Sequence, residues 1–94
     1  MAKAVWNGAL IAESEHYERV ENNVYFPRAA VKAEFLKPSA TRTCCPWKGE
    51  AHYYTLEVAG RSNPDAAWYY PDPAPEAARI KDHVAFWKGV EVTR

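Results

Sequence analysis

One stretch, residues 41–58, limits the folds open to this chain more than any other, because it has the pattern of a β-hairpin. The first arm, residues 41–45, ends at Cys45, where the following Pro46 disfavours helical backbone and favours an extended conformation. Gly49 can adopt the positive φ that closes a tight loop. The second arm, residues 50–58, alternates, so successive side chains should point to opposite faces of a sheet. The set predicted to face the core is His52, Tyr54, Leu56 and Val58.

The rest of the chain consists mostly of short β-prone runs separated by turn residues. Asn7-Gly8 is a strong two-residue hairpin signal, and residues 60–65 form a polar turn region. Two stretches change period and predict short helices, around residues 28–36 and 75–82, the second opening at Pro75. About seven to nine short strands with two short helices predict a mainly β fold, a compact antiparallel sandwich or partly closed barrel. The predicted strands are 3–6, 9–13, 16–20, 24–26, 41–45, 50–58, 66–70, 84–87 and 90–92.

Length, charge and hydropathy narrow the classes of protein. The 94 residues predict one domain, 1–94, with enough aromatic surface for a small core. The formal net charge is +0 and there is no basic block, so we expect no nucleic-acid partner. No stretch is apolar for long enough to span a bilayer, which predicts a cytoplasmic protein without a membrane partner. The chain carries no signal for an oligomeric state.

The cysteines raise the question of nucleophilic catalysis. Cys44 and Cys45 are adjacent, so they do not form a disulfide framework. If residues 45 and 50 pair across the loop, Cys45 shares a face with His52; a register shift of one residue would put Cys44 there instead. A Cys–His pair can generate a thiolate nucleophile, which makes Cys45 a candidate nucleophile and His52 its candidate base. The alternative is that Cys45 is a small core residue and His52 is merely hydrogen-bonded.

The sequence predicts neither a metal site nor a cofactor. Structural zinc sites use spaced cysteine pairs, whereas side chains on two neighbouring extended residues point to opposite faces. The three histidines, His16, His52 and His83, are scattered along the chain. No phosphate-cradling glycine loop, nucleophile elbow or helical zinc motif is present.

The hairpin loop and the aromatic strand at residues 66–70 together predict a ligand site. Lys48 offers a positive charge to an anion, and Trp47 offers a flat contact surface. Trp68 and Tyr70 should point to one side of their strand and Tyr69 to the other. The candidate ligand-binding residues are Trp47, Lys48, Tyr53, Trp68 and Tyr70. The alternative is that Lys48 is solvated and the aromatic rings only form the core.

Five motifs follow one another along nearly the whole chain: Tyr25-Phe26-Pro27, Cys45-Pro46-Trp47-Lys48-Gly49, Ala51-x-Tyr53-Tyr54, Ala66-Ala67-Trp68-Tyr69-Tyr70-Pro71 and Ile80-Lys81-Asp82-His83-Val84-Ala85-Phe86. Together they resemble a small bacterial family known as domain of unknown function 427. The resemblance implies a compact, β-rich, stand-alone domain. The family is also described as nucleotidyltransferase-like, but this chain lacks the paired acidic residues that would hold Mg²⁺ for such chemistry. Cys45 belongs to the shared pattern and Cys44 does not, and no catalytic residue is carried over.

Three functions remain open from the sequence. The favoured one is a module that binds a small molecule, nucleotide-like or anionic, with the 45–49 loop and the 66–70 strand. The second is an enzyme with Cys45 as nucleophile and His52 as base. The third is a protein-interaction or structural domain without a small-molecule site.

Overall fold

Two antiparallel sheets hold most of the chain in the computed structural model, which describes residues 1–94. The smaller sheet has the order β2-β1-β9, and the larger has the order β3-β4-β8-β7-β6-β5. The mainly β prediction with seven to nine strands is confirmed. The strands are β1 (Ala2–Trp6), β2 (Ala9–Ser14), β3 (Glu18–Val20), β4 (Asn23–Pro27), β5 (Leu36–Cys45), β6 (Gly49–Val58), β7 (Arg61–Tyr69), β8 (His83–Phe86) and β9 (Glu91–Thr93).

The larger sheet is covered on both faces, which explains why its strands mix apolar residues of both alternating sets. One face packs against the smaller sheet through a cluster that includes Ala4, Ile11, Phe26 and Leu56, so the two sheets form a sandwich rather than a barrel. The other face carries a second cluster, in which Ile80 and neighbouring residues from the segment after β7 cover the sheet. The second cluster consists of Val20, Tyr25, Ala51, Tyr70, Ala77, Ile80 and Ala85.

The turns follow their sequence signals closely. Asn7 and Gly8 both have positive φ, 50° and 76°, which is the two-residue hairpin geometry that the dipeptide predicts. The predicted polar turn at 60–65 is narrower in the structure, because β7 already begins at Arg61. Asp65 instead sits in an irregularity of the β6–β7 pairing with a φ of 56°. Its carboxylate accepts hydrogen bonds from Ser39 and Thr41 on β5, and these bonds hold the bulged backbone in the sheet.

The helix predicted around residues 28–36 is two short 3₁₀ turns, Arg28–Ala30 and Ala33–Phe35. Val31 between them is extended and forms a bridge with Ala12 of β2. The Lys32 amide also donates to the Ile11 carbonyl at 2.9 Å. Pairing with the smaller sheet therefore overrides the helical preference of this alanine-rich stretch.

The helix predicted around residues 75–82 is a 3₁₀ segment, Pro75–Ile80, with a break at Ala77. Pro75 opens it, and Ala77 and Ile80 are its buried residues, as predicted. None of the helical segments has the length and apolar character needed to cross a membrane.

Candidate functional site

A cavity of about 310 Å³ opens on the face of the larger sheet that carries the second cluster. The register of the sheet builds its floor, because Tyr53 of β6 pairs with Trp68 of β7 and Trp68 pairs with Ala85 of β8. Cross-strand partners point to the same face, so these side chains lie side by side. The residues that line the cavity are Asn23, Lys48, Tyr53, Trp68, Tyr70 and Trp87.

The β5–β6 loop brings Lys48 to the cavity. Cys45 pairs with Gly49, which leaves a three-residue loop, and Gly49 closes it with a φ of 115°. The proline-rich segment after β7 packs against this loop: the Ala74 amide donates to the Lys48 carbonyl at 2.9 Å. A methyl group at Gly49 would lie 3.3 Å from the Asp72 carbonyl oxygen. The loop therefore has little freedom, and Lys48 is held against the sheet.

Lys48 is only 6% exposed, which is unusual for lysine, and it forms an ion pair with Glu21. Glu21 lies in the β3–β4 turn at a φ of 54° and reaches the ammonium group from the edge of the cavity. The hydrogen bond and the charge of Lys48 lower the pKa of Glu21. Burial opposes the charged form of Lys48, but the hydrogen bond to Glu21 and the nearby Tyr25 and Tyr70 outweigh it, so the pKa of Lys48 is raised. The site thus contains a fully charged but already compensated cation.

The aromatic walls are fixed by specific contacts. The Trp68 indole Nε1 donates to the Tyr25 hydroxyl at 3.2 Å, and the two rings meet edge to face with their centroids 6.1 Å apart. The Trp87 ring lies 5.7 Å from that of Trp68, and its Nε1 donates to the Asp65 carbonyl at 2.6 Å. Burial raises the pKa of Tyr70 to about 12, so its hydroxyl remains protonated at neutral pH. The cavity presents rings in set orientations rather than a collapsed aromatic core.

The structure brings together most of the residues that the sequence proposed for ligand binding. Lys48, Tyr53, Trp68 and Tyr70 line the cavity. Trp47 does not line it: its side chain is 39% exposed, and its ring lies 5.4 Å from the Lys48 ammonium on the outer side.

Four contributors were not proposed from the sequence: Glu21, Asn23, Tyr25 and Trp87. In the sequence, Glu21 and Asn23 have the character of turn residues. Their place at the cavity becomes visible only in the structure, where Glu21 contacts Lys48 and Asn23 lines the cavity. Tyr25 is fully buried and acts through Trp68. Trp87 is 46% exposed. From the sequence it was the last residue of the predicted strand 84–87, and its large aromatic ring was the one signal that could have identified it.

The candidate catalytic pair, Cys45 and His52, is not assembled. Arg42 pairs with His52 and Cys45 pairs with Gly49, so Cys45 and His52 point to opposite faces of the sheet. Cys45 packs against the second cluster, whereas the His52 Nε2 lies 3.0 Å from Glu50 Oε1 on the other face. The loop is one residue shorter than the 45–50 pairing assumed. It is the exposed Cys44 that shares a face with His52.

No three side chains among His, Cys, Asp and Glu gather as the ligands of a metal ion would.

The fold and the site define a small two-sheet β-sandwich with an aromatic cavity that encloses a buried, ion-paired lysine. A family model described as "Domain of unknown function (DUF427)" matches residues 1–94. The chain belongs to this family, as its motifs suggested. No curated protein matches the chain.

Proposed function

We propose that the protein binds a small planar molecule carrying an anionic group in the cavity between the 45–49 loop and the 66–70 strand. The observation that carries the proposal is the buried Lys48 at a wall of the aromatic cavity, whose carboxylate partner Glu21 is itself half-exposed and can give way to a ligand anion. The volume of about 310 Å³ is at the lower end of the range for small-molecule sites, which favours a single-ring or two-ring ligand.

The walls suit a flat molecule. Tyr53, Trp68, Tyr70 and Trp87 supply four aromatic side chains, and rings favour offset stacking or edge-to-face contact with a planar ligand. Asn23 adds an amide that can both donate and accept hydrogen bonds, so it can recognise the polar edge of a ring.

The ion pair with Glu21 sets the condition for anion binding. A ligand carboxylate or phosphate has to replace the Glu21 carboxylate at the Lys48 ammonium. The Glu21 side chain is 53% exposed, so it can turn into water while the ligand takes over the charge. The ammonium remains compensated throughout, which avoids an unpaired buried charge.

The test is a thermal-shift screen of nucleotides, sugar phosphates and small aromatic acids, followed by titration of any hit while tryptophan emission is monitored. A ligand that binds only the native state raises the melting temperature by mass action. We expect Lys48→Met to remove the shift, whereas Lys37→Met, a control at an exposed lysine of β5, keeps it. Equal shifts in both variants, or no shift from any compound class, would refute the proposal.

One observation favours a second candidate function, a protein-interaction surface. Trp47 and Trp87 are 39% and 46% exposed, and large exposed rings are typical of contact surfaces. Sedimentation of the wild type and of Trp87→Ala decides this alternative: concentration-dependent association that the substitution abolishes would support it, and a monomer at all concentrations would contradict self-association.

A further inference from the structure

A second group of aromatic and cationic side chains lies on the opposite face of the larger sheet. Arg42, His52 and Tyr69 form one row across β5, β6 and β7, because Arg42 pairs with His52 and His52 pairs with Tyr69. Tyr54, two residues beyond His52 on the same face, stacks on Tyr69 with the ring centroids 4.8 Å apart and the planes at 20°. The His52 ring meets Tyr69 at 5.6 Å. Arg28 completes the group, and we call these five residues the tyrosine–arginine surface.

Both arginines are held in place by backbone carbonyls. Arg28 Nη1 donates to the Val31 carbonyl at 3.2 Å, and its Cζ lies 6.0 Å from the centre of the Tyr54 ring. Arg42 Nη1 donates to the carbonyls of Ser39 and Thr41 at 2.9 and 2.8 Å. A guanidinium has five N–H donors, so each arginine keeps donors for another partner.

Neither arginine has a carboxylate partner. The ion pairs of the protein are Lys3–Glu13, Lys48–Glu21, His52–Glu50 and Arg79–Glu18. The only one on this face is His52–Glu50, which places a single carboxylate at the margin of the surface. Two oriented positive charges therefore remain uncompensated beside two tyrosine rings.

Both arginines belong to the group around the stacked rings of Tyr54 and Tyr69. Burial raises the pKa of Tyr69, and Tyr54 adds to the increase, while the positive charges of Arg42 and Arg28 oppose it. The two arginines come from different elements. Arg42 comes from β5, in the row with His52 and Tyr69, and Arg28 comes from the turn after β4, over the Tyr54 ring.

We propose that the tyrosine–arginine surface binds a phosphate monoester dianion between Arg28 and Arg42. Two guanidinium groups match a charge of minus two, and their planar forks suit tetrahedral phosphate oxygens better than a point charge does. The hydroxyls of Tyr54 and Tyr69 supply further donors. This site is independent of the cavity proposed above, because β6 sends Tyr53 to one face and His52 and Tyr54 to the other.

The test is titration of the full chain with phenyl phosphate at pH 7.5 and low ionic strength. Binding is monitored by the NMR shifts of the backbone amides of β5 to β7. We expect saturable shifts at residues around Tyr69. The double variant Arg28→Gln/Arg42→Gln should weaken binding at least about tenfold, and added salt should weaken it in the wild type.

Two controls separate this site from general charge effects and from the cavity. Arg61 lies over the Trp6 ring at 5.7 Å and donates to Asn7, so Arg61→Gln removes one positive charge from an arginine–aromatic pair elsewhere. It should keep the affinity measured at the amides around Tyr69. Shifts at the amides of cavity residues are fitted separately, because phenyl phosphate also has the chemistry proposed for the cavity ligand. Tyr69→Phe retains the ring and should weaken binding by the loss of one donor. The proposal is overturned if the double variant binds phenyl phosphate as tightly as Arg61→Gln does, or if the wild type does not saturate.

Discussion

Exchanging Lys48 for methionine separates a binding role of the buried ammonium from a structural one. The two partners of its ion pair are unequally exposed: the Lys48 side chain is 8% exposed and that of Glu21 is 53% exposed. Lys48→Met leaves behind a carboxylate that faces water and stays hydrated. Glu21→Gln leaves behind an ammonium that is still buried near Tyr25 and Tyr70. The two substitutions break one ion pair but should have different effects on stability.

The different exposures of the two side chains determine how much each substitution should change the free energy of unfolding. Removing one partner of a fully buried ion pair costs about 3–5 kcal/mol, because the remaining charge has neither water nor counter-ion. That penalty does not apply to Lys48→Met, because the Glu21 carboxylate that remains is in contact with water. We therefore expect the free energy of unfolding to change by no more than about 1 kcal/mol. For a domain of this size such a change shifts the melting temperature by roughly 4–8 °C at most. Glu21→Gln should lower the melting temperature by more than Lys48→Met does.

The assay is thermal and urea unfolding of wild type, Lys48→Met and Glu21→Gln at pH 7, with Lys37→Met as the control for loss of an exposed lysine. If Lys48→Met destabilises the protein more than Glu21→Gln, the ammonium supports the fold itself. The burial of this ammonium would then be explained by its structural role and would no longer support ligand binding.

Three further predictions concern the parts that position the site. Tyr25→Phe removes the acceptor of the Trp68 indole and should cost about 1–3 kcal/mol in urea unfolding, because the N–H loses its only protein partner; a change below about 0.5 kcal/mol would contradict this. Gly49→Ala should lower the melting temperature more than Gly60→Ala, since both have positive φ but only Gly49 is crowded by backbone; equal losses would rule out that crowding. The pKa of Glu21 lies below its ordinary 4.5, so the ion pair stabilises the fold above that pH and this contribution is lost as the pH falls through the lowered pKa. Unfolding measured from pH 7 to 3 should therefore show a smaller loss for Glu21→Gln than for the wild type, and parallel curves would contradict this.

Most of the fold could be predicted from two local properties of the sequence: the alternation of side chains along each strand and the residue types that favour turns. The Asn7-Gly8 turn is determined by two adjacent residues, and the opposite orientations of Trp68 and Tyr69 follow from the period of a strand. Such features could be predicted because the residues that cause them are neighbours in the chain. The proposed ligand-binding set of Trp47, Lys48, Tyr53, Trp68 and Tyr70 came from the same local features; four of these residues line the cavity and Trp47 does not.

The features that the sequence could not provide depend on distant pairing. The 28–36 stretch has helical composition, but the bridge between Val31 and Ala12 forces an extended backbone there. Glu21 and Lys48 are 27 positions apart, in the β3–β4 turn and the β5–β6 loop. Their contact joins two hairpins that are not neighbours in the sheet, so it depends on tertiary structure and not on local pattern. The sheet face to which Cys45 points depends on whether the hairpin loop has three or four residues. Composition cannot distinguish these two lengths, yet a shift of one residue moves the side chain to the opposite face.

β6 contributes side chains to both candidate sites, and this should constrain the length of the strand during the evolution of the family. Tyr53 faces the cavity, while His52 and Tyr54 face the tyrosine–arginine surface. Point substitutions can therefore change the specificity of one site and leave the other intact, so the two can diverge separately. An insertion or deletion within β6 would exchange the two sets of side chains and disable both sites together. We expect homologues to keep the length of this strand even where individual side chains differ.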